Sequence, residues 1–249
     1  MSETEAGVRT LFEINPDIDR PAAARRFAEA RRVQVRDFLT DAAARTVHEI
    51  LTRGTAWGLA WQAGEEGPHN IPAERFAKLS REERAEIGAK VAAAMKGEDY
   101  AFLYGQYPML HAYLEKWDEG GPHDLLIEHI NSEPLLDLVR EVTGDDGLLK
   151  ADAQATLYGP GQFLARHDDS HVAEGWRIAY VMNFCAADWR PEWGGYLLFY
   201  DEEGDVIAGF RPRFNALNLF AVPQKHNVSY VPPFAPVARF AIAGWFRDR

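Results

Sequence analysis

The sequence has only one cysteine, Cys185, and no long run of apolar residues. A single thiol cannot form an internal disulfide, and it cannot build a zinc cluster from several thiolates. Cys185 follows the apolar run 180–184, so we interpret it as a buried residue rather than a nucleophile. No apolar stretch approaches the roughly 20 residues of a membrane helix, which predicts that the protein has no membrane partner.

Positive charge is also scarce: 27 Lys and Arg residues stand against 38 Asp and Glu residues, which gives a formal net charge of −11. This balance argues against nucleic acid as the partner, because proteins that bind its backbone carry a basic patch. A local basic groove stays possible. The pairs Arg25-Arg26 and Arg31-Arg32 are basic, and we interpret them as the solvated face of a helix.

The acidic start, Met1 to Glu5, is followed by no apolar core, so the sequence shows no secretory signal. By default this predicts a cytoplasmic location. The 249 residues are enough for one large domain, or for a core with an elaborate helical extension.

Two patterns divide the chain near residue 150. Before it, helix signals dominate: Asp19 can cap a helix, Ser80 and Glu83 form a capping-box pattern, and Ser132 precedes a helix that Gly144 ends. After it, short alternating strands are separated by Gly, Pro and acidic turns, which is typical of a sandwich or barrel. The predicted strands are 154–158, 163–167, 176–184, 196–200, 206–210, 216–221, 226–231 and 238–246.

The most informative motif is His-x-Asp at His167 and Asp169. Residues two apart on a strand share one face, so both side chains can point at one metal ion while Asp168 points away. Two imidazoles and one carboxylate on one face of the ion are the ligands of a redox iron(II) site. His226, in another strand-like segment, is the candidate for the third ligand. His171 is a weaker candidate for the third ligand, because it lies in a loop-like segment. If it does not bind the metal, it would lie behind the ligands or face the substrate.

The last predicted strand places a cation among small residues. Arg239 is in phase with Ala241 and Ala243, while the alternate positions are large and apolar, as expected of a face packed against helices. An arginine beside small residues suits bidentate capture of a small carboxylate inside a barrel. Tyr158 precedes the Gly/Pro turn that leads to His167, so its hydroxyl could reach the same pocket. The pair Gly194-Gly195 permits a close backbone approach, although a plain turn explains it equally well.

These motifs, in this order, resemble the iron(II)- and 2-oxoglutarate-dependent oxygenases, in the branch of the prolyl hydroxylases that includes the ribosomal-protein prolyl hydroxylases. The resemblance is carried by His167-x-Asp169, Gly194-Gly195, His226-x-Val228 and the segment from Arg239 to Trp245. It runs from about Gln154 to the C-terminus.

The resemblance implies an α+β fold with a double-stranded β-helix, or jelly-roll, core and N-terminal buttressing helices. Residues 1–150 would pack on a catalytic core of residues 151–249 in one compact domain. His167, Asp169 and His226 would bind iron, with no further catalytic residue. Arg239 would bind the far carboxylate of 2-oxoglutarate, helped by Tyr158 and by Leu197 in the pocket wall. Val181 stands where relatives often carry a second tyrosine.

The implied reaction consumes 2-oxoglutarate and O2, with ascorbate as the expected reductant, and hydroxylates a C–H bond with succinate and CO2 as coproducts. The branch favours a prolyl residue of a protein or peptide as substrate, with a small molecule as the second choice. Trp189, Trp193 and His171 are the candidates for substrate contact, although both tryptophans could equally be packing residues. A metal-binding protein of the cupin type without oxygenase activity is the remaining alternative.

Overall fold

The computed structural model describes residues 11–170, 174–185 and 188–249. The helices are α1 (Arg20–Ala30), α2 (Asp41–Glu49), α3 (Ala73–Lys78), α4 (Arg81–Lys96), α5 (Met109–Leu114), α6 (Pro122–Ile130) and α7 (Glu133–Thr143). The strands before residue 150 are β1 (Arg32–Arg36), β2 (Gly58–Ala63), β3 (Glu66–Ile71) and β4 (Ala101–Tyr107). A π-helical turn, Ile50–Gly54, follows α2.

The later strands are β5 (Lys150–Ala151), β6 (Gln154–Tyr158), β7 (Phe163–His167), β8 (Trp176–Asn183), β9 (Leu197–Tyr200), β10 (Val206–Phe210), β11 (Ala216–Ala221), β12 (His226–Val228) and β13 (Arg239–Arg247). Eight of them, β6 to β13, correspond to the eight predicted strands, with ends that differ by up to three residues. A 3-10 turn, Pro191–Trp193, precedes β9.

These eight strands form the two halves of a jelly roll, which confirms the predicted fold class. One half has the order β11-β8-β13-β6 and the other has the order β7-β12-β9-β10. Strand β4 joins them, because its C-terminal end pairs with β6 and its N-terminal part pairs with β7. Strand β1 extends the first half beyond β11. The sheet therefore wraps around an interior between its two halves.

Alternate side chains of the first half face the helices. Ile178, Leu219, Ile242 and Phe246 belong to one buried cluster with Phe27, Val47, Ile127 and Leu138 from α1, α2, α6 and α7. The helices thus cover the outer face of this half, and the opposite face is left for the interior of the jelly roll. This is the arrangement that the alternation around Arg239 predicted.

Several local signals were read correctly. The Asp19 side chain accepts a hydrogen bond from the Ala22 N–H at the start of α1, and Ser80 with Glu83 forms the capping box of α4. Helix α7 ends at Gly144, whose φ of 69° is left-handed. None of the helices in the described part of the chain is long and apolar enough to span a bilayer.

One N-terminal strand was missed and one N-terminal prediction was wrong. Residues 72–150 are mostly helical, as the helix signals predict, but they also contain β4, a central strand with β2 on one side and β6 and β7 on the other. Buried on both faces, it lacks the polar alternation of a half-exposed strand. Arg32 does not lie on a helix face: α1 ends before it and Arg32 begins β1, half-buried.

Candidate active site

The three predicted ligands come together at one end of the jelly roll. Strands β7 and β12 are antiparallel neighbours, and His226 lies directly opposite His167. Their ring centroids are 4.2 Å apart. One ligand atom from each of His167, Asp169 and His226 lies within 4.8 Å of the others, and this is the only such group in the described part of the chain.

Asp169 reaches the site by a route that differs from the prediction. Strand β7 ends at His167, and Asp169 follows it with a left-handed φ of 57°. Aspartate tolerates this conformation better than most residues, so a turn, rather than strand alternation, brings the carboxylate back to the histidine. Its Oδ1 lies 3.3 Å from His167 Nε2 and its Oδ2 lies 3.4 Å from His226 Nε2. Asp168 is not part of the group, and its carboxylate accepts a hydrogen bond from the Ser170 N–H.

Backbone carbonyls orient both imidazoles. His167 Nδ1 lies 2.9 Å from the Ala165 oxygen, and His226 Nδ1 lies 2.7 Å from the Gln224 oxygen. A carbonyl can only accept, so each Nδ1 carries a proton, and a ring that is neutral presents the lone pair of Nε2. Both Nε2 atoms face Asp169. The carboxylate is itself held by the Trp245 indole N–H, which donates to Oδ2 at 3.0 Å.

The electrostatics of the three side chains suit metal binding. Burial lowers the pKa of His226 to about 4, and the neighbouring His167 adds to the effect. Burial also acts on His167, but hydrogen bonding and attraction to Asp169 outweigh it and raise its pKa. Burial works against the Asp169 carboxylate, yet the two histidines and Trp245 keep its pKa below the usual value. At neutral pH, Asp169 is ionised and His226 is neutral, as metal ligands must be.

Arg239 occupies the interior at the start of β13. It is 1% exposed, and it lies opposite Tyr158 on β6, with its guanidinium 5.3 Å from the tyrosine ring centroid. Its Nε donates to Asn183 Oδ1 at 3.1 Å. Its Nη1 is buried without a hydrogen-bond partner in the described part of the chain. A buried guanidinium with a free donor is costly, and a ligand carboxylate would satisfy it.

The interior wall is apolar. Leu197 is 2% exposed, and it belongs to a buried cluster with Val181, Phe199, Phe220 and Ala241. Val181 has no hydroxyl to offer, but Asn183, two residues further on the same face of β8, supplies the polar contact to Arg239. The donor set and the free Nη1 therefore fit iron(II) and a dicarboxylate, although Tyr158, Leu197 and Arg239 as ligand-binding residues stay predictions.

Sequence reasoning missed three residues around the site. Asn183 is a polar residue on the inward face of an otherwise apolar strand, and this position in the sequence already indicates a polar contact in the interior. Tyr104, on the unrecognised strand β4, has its ring 5.2 Å from that of Tyr158. Tyr100 has its ring 6.2 Å from that of His167, and burial, followed by the charge of Asp169, raises its pKa to about 12.

The substrate candidates have different surroundings. Trp189 is 2% exposed and its indole N–H donates to the Gly194 oxygen, which favours the packing interpretation. Trp193 is half-buried, stands edge-on to Trp189, and packs against the cluster that contains Tyr158. His171 lies outside the described residues.

The remaining nucleophile and histidines have structural surroundings. Cys185 is 1% exposed, and burial raises the pKa of its thiol to about 11, which keeps it protonated at neutral pH. His48 Nδ1 lies 2.7 Å from the Phe184 oxygen, and His123 Nε2 lies 2.9 Å from Thr55 Oγ1.

Comparison with known proteins supports this geometry. Residues 153–247 match the family model described as the 2OG-Fe(II) oxygenase superfamily. A prolyl-4-hydroxylase from Pseudomonas putida is similar in structure over 96% of this chain and 99% of its own, with a TM-score of 0.57 and 16% identity. A Trichoplax adhaerens prolyl hydroxylase, solved with a hypoxia inducible factor peptide fragment, is similar over 92% of this chain and 89% of its own, with a TM-score of 0.52 and 14% identity.

A third similar structure is an oxidoreductase of the 2OG-Fe(II) oxygenase family from Burkholderia pseudomallei, with a TM-score of 0.57 and 10% identity. It covers 96% of this chain, and 94% of its own length is matched. No curated protein matches the sequence significantly. At these identities the solved structures establish a shared fold, and the family match covers the segment that contains all three ligand candidates.

Proposed function

We propose that this chain, a 2OG-Fe(II) oxygenase by the match of its residues 153–247, hydroxylates a prolyl residue of a protein or peptide. The observation that carries the proposal is the pairing of two features in one interior. Two imidazole nitrogens and a carboxylate converge within 4.8 Å, and a buried arginine whose Nη1 has no partner in the described part of the chain lies in the same jelly roll.

Each side chain has a defined task in this proposal. His167, Asp169 and His226 would hold iron(II), the metal that two imidazoles and one carboxylate suit. Arg239 binds the far carboxylate of 2-oxoglutarate, and Leu197 excludes water from the pocket wall. When bound, iron(II) with 2-oxoglutarate and O2 supplies the oxidation of an unactivated C–H bond, with succinate and CO2 as coproducts. No side chain needs to act as a general base.

A prolyl substrate is supported by two observations. Two of the similar folds are prolyl hydroxylases, one of them solved with a peptide fragment. Aromatic side chains also surround the site: Tyr100 contacts His167 edge-on, and Trp193 lies near Tyr158. An apolar five-membered ring packs well against such faces. We propose a cytoplasmic location for this reaction, as the sequence predicts.

The first experiment measures the coupled consumption of 2-oxoglutarate. The purified protein, supplied with iron(II), ascorbate and 2-oxoglutarate in air, is expected to release succinate slowly without substrate. His167→Ala and Asp169→Ala should abolish this release because each removes a metal ligand. His69→Ala, which removes a histidine stacked on Trp61, is the matched control and should keep the activity. Normal succinate formation by either ligand variant would refute the proposed site.

The second experiment identifies the product. A proteome treated with the enzyme is analysed by mass spectrometry for a new oxygen on proline, with Asp169→Ala as the inactive control. Oxygen found only on a small metabolite would point to the small-molecule alternative. Metal binding without any succinate would point to a cupin-type protein.

A further inference from the structure

Five arginines line one groove on the surface of a chain whose net charge is −11. The groove has a volume of about 650 Å³. Its arginines are Arg26 on α1, Arg32 and Arg36 on β1, and Arg211 and Arg213 on the segment after β10. We call it the arginine groove. It is separate from the metal ligands, none of which lines it.

The arginine groove lies between two free strand edges. Among the described strands, β1 pairs with β11 alone and β10 pairs with β9 alone, so these two strands are the ends of the sheet order. Val33 and Gln34 of β1 line one side of the groove, and Gly209 and Phe210 of β10 line the other. An unpaired strand edge presents backbone N–H and C=O groups that an added strand can use.

The positive charge of the groove has no partner within the described part of the chain. Arg36, Arg211 and Arg213 form none of its ion pairs. Arg211 Nη1 donates to the Trp189 oxygen at 3.3 Å, but among the described residues the Nε atoms of Arg211 and Arg213 are buried without a hydrogen-bond partner. Glu29 is the one acidic residue among those that line the groove, and the neighbouring cavity of about 480 Å³ adds Asp37 and Asp188.

The arginines also repel one another. Burial lowers the pKa of Arg213, and the charges of Arg36 and Arg211 lower it further. Clustered like charges cost free energy unless an anion is bound between them. Such an arrangement is expected where a ligand of opposite charge completes the site.

The spacing on β1 indicates an extended ligand. Arg32, Gln34 and Arg36 are two residues apart, so they share one face of β1. The Cα atoms of the two arginines are about 13 Å apart along the strand. A ligand that follows β1 from Arg32 to Arg36 over that distance is extended. An extended peptide with acidic side chains at alternate positions matches it, because its side chains repeat with the same period. Gln34 is already bonded to Asn218 and to the Arg211 backbone oxygen, which fixes the floor of the groove.

We propose that the arginine groove binds an extended acidic segment of a partner protein, which adds as a strand to the free edge of β1 or β10. Arg36, Arg211 and Arg213 bind its carboxylates, and backbone hydrogen bonds set its register. Nucleic acid fits less well, because the whole chain is acidic and the groove offers only Tyr196 and Phe210 as aromatic surfaces. The proposal is independent of the reaction that the metal site performs.

The test measures peptide binding by fluorescence anisotropy. The probe is a labelled eight-residue peptide with glutamate at every second position. The double variant R36Q/R213Q should weaken binding by about tenfold, since two charge-assisted contacts are lost. The control R53Q/R81Q removes the same charge from exposed positions on other elements and should change the affinity less than about twofold. Equal losses in both double variants, or no loss in either, would overturn the proposal.

Further comparisons separate the mode of binding from charge alone. A peptide of the same sequence with alternate N-methylated amides cannot pair with a strand edge, so it should bind more weakly; equal affinity would overturn strand addition. Inorganic phosphate or a single-stranded oligonucleotide that displaces the peptide at lower concentration than the unlabelled peptide would overturn the assignment of a protein segment. Arg36→Gln alone, at an exposed position, gives the same test if the double variant does not fold.

Discussion

Arg239 is a buried cation that the described part of the chain does not neutralise. Its contacts are the Asn183 amide oxygen and the face of the Tyr158 ring, and no carboxylate forms an ion pair with it. Burying an unpaired charge costs stability. This cost fits the proposed role of Arg239 in binding a ligand carboxylate, and substitution should therefore affect ligand binding and the free energy of unfolding differently.

Arg239→Met should separate 2-oxoglutarate binding from stability. Methionine keeps much of the side-chain length and removes the charge, so the apparent KM for 2-oxoglutarate should rise about hundredfold, as expected for the loss of a buried charge pair. The free energy of unfolding without cosubstrate should not fall, because an unpaired buried donor disappears. Kinetics of succinate formation and urea unfolding measure the two effects, with Arg53→Met as the control. An unchanged KM would contradict the proposed role.

Trp245 positions the carboxylate of the metal site from outside it. Trp245→Phe removes the indole N–H that donates to Asp169 Oδ2 but keeps an aromatic ring stacked near Trp176. Removing such an outer hydrogen bond typically weakens metal binding about tenfold or more. Calorimetric titration with manganese(II) measures the affinity. Trp57→Phe, which loses an indole bond to the Leu51 oxygen, is the matched control and should leave the affinity unchanged.

At the scale of elements, the strands of the jelly roll were predictable because alternate side chains have different surroundings. One set faces the interior of the jelly roll, and the other set faces outward. Alternation therefore survives in the sequence of β13, where Arg239 and Ala241 face inward and Ile242 packs against helices. Strand β4 was not predictable by this signal, because both of its faces are largely buried and its burial pattern does not alternate with the period of two.

The candidate metal ligands show a second limit of sequence patterns. The His-x-Asp motif named residues that the fold brings together with His226, but strand alternation was the wrong reason for their convergence. The left-handed φ of Asp169 brings its carboxylate between the two imidazoles, and no periodicity in the sequence encodes that turn. His226 lies opposite His167 because β12 pairs with β7, and these two strands are far apart in the sequence. Composition and spacing could suggest that pairing, and only the fold could establish it.

Gly194 lies in the turn before β9, where its backbone packs closely against the loop after β12. Its φ is 61°, and a Cβ atom there would lie 1.9 Å from the Tyr230 backbone oxygen. Gly194→Ala should lower the free energy of unfolding by about 2–4 kcal/mol, through backbone strain and the clash together. Gly161→Ala shares the positive φ but meets no atom within 4 Å, so it should cost only about 1 kcal/mol. Urea unfolding measures the free energy of unfolding of both variants, and the difference between them gives the cost of the clash. Equal losses would show that the loop around Tyr230 moves to remove the clash.

At the scale of the whole molecule, the helical layer and the jelly roll perform different tasks. The helices bury the outward side chains of β8, β11 and β13 in the largest apolar cluster, and this provides most of the hydrophobic stabilisation. The interior instead contains the polar groups that a ligand and a metal need. A perturbation of the helical layer should therefore change stability without changing the chemistry of the site.

His123, on α6, tests this separation through pH. Burial lowers its pKa, and the nearby Asp118 and Asp124 only partly offset the effect. Its neutral ring lies 2.9 Å from Thr55 Oγ1 and packs on Tyr107. The unfolded chain binds a proton at His123 more readily than the folded one, so below about pH 6.5 this residue makes the fold less stable as pH falls.

His123→Gln should weaken the dependence of the free energy of unfolding on pH, because glutamine can donate to Thr55 and does not titrate. The stability of the variant relative to the natural chain should rise as the pH is lowered from about 7 to about 5, as measured by urea unfolding of the metal-free proteins. NMR titration should give the His123 ring a pKa below its ordinary value. His111→Gln, at an exposed position on α5, is the matched control for the substitution itself. A parallel shift of both variants would show that His123 does not couple protonation to folding.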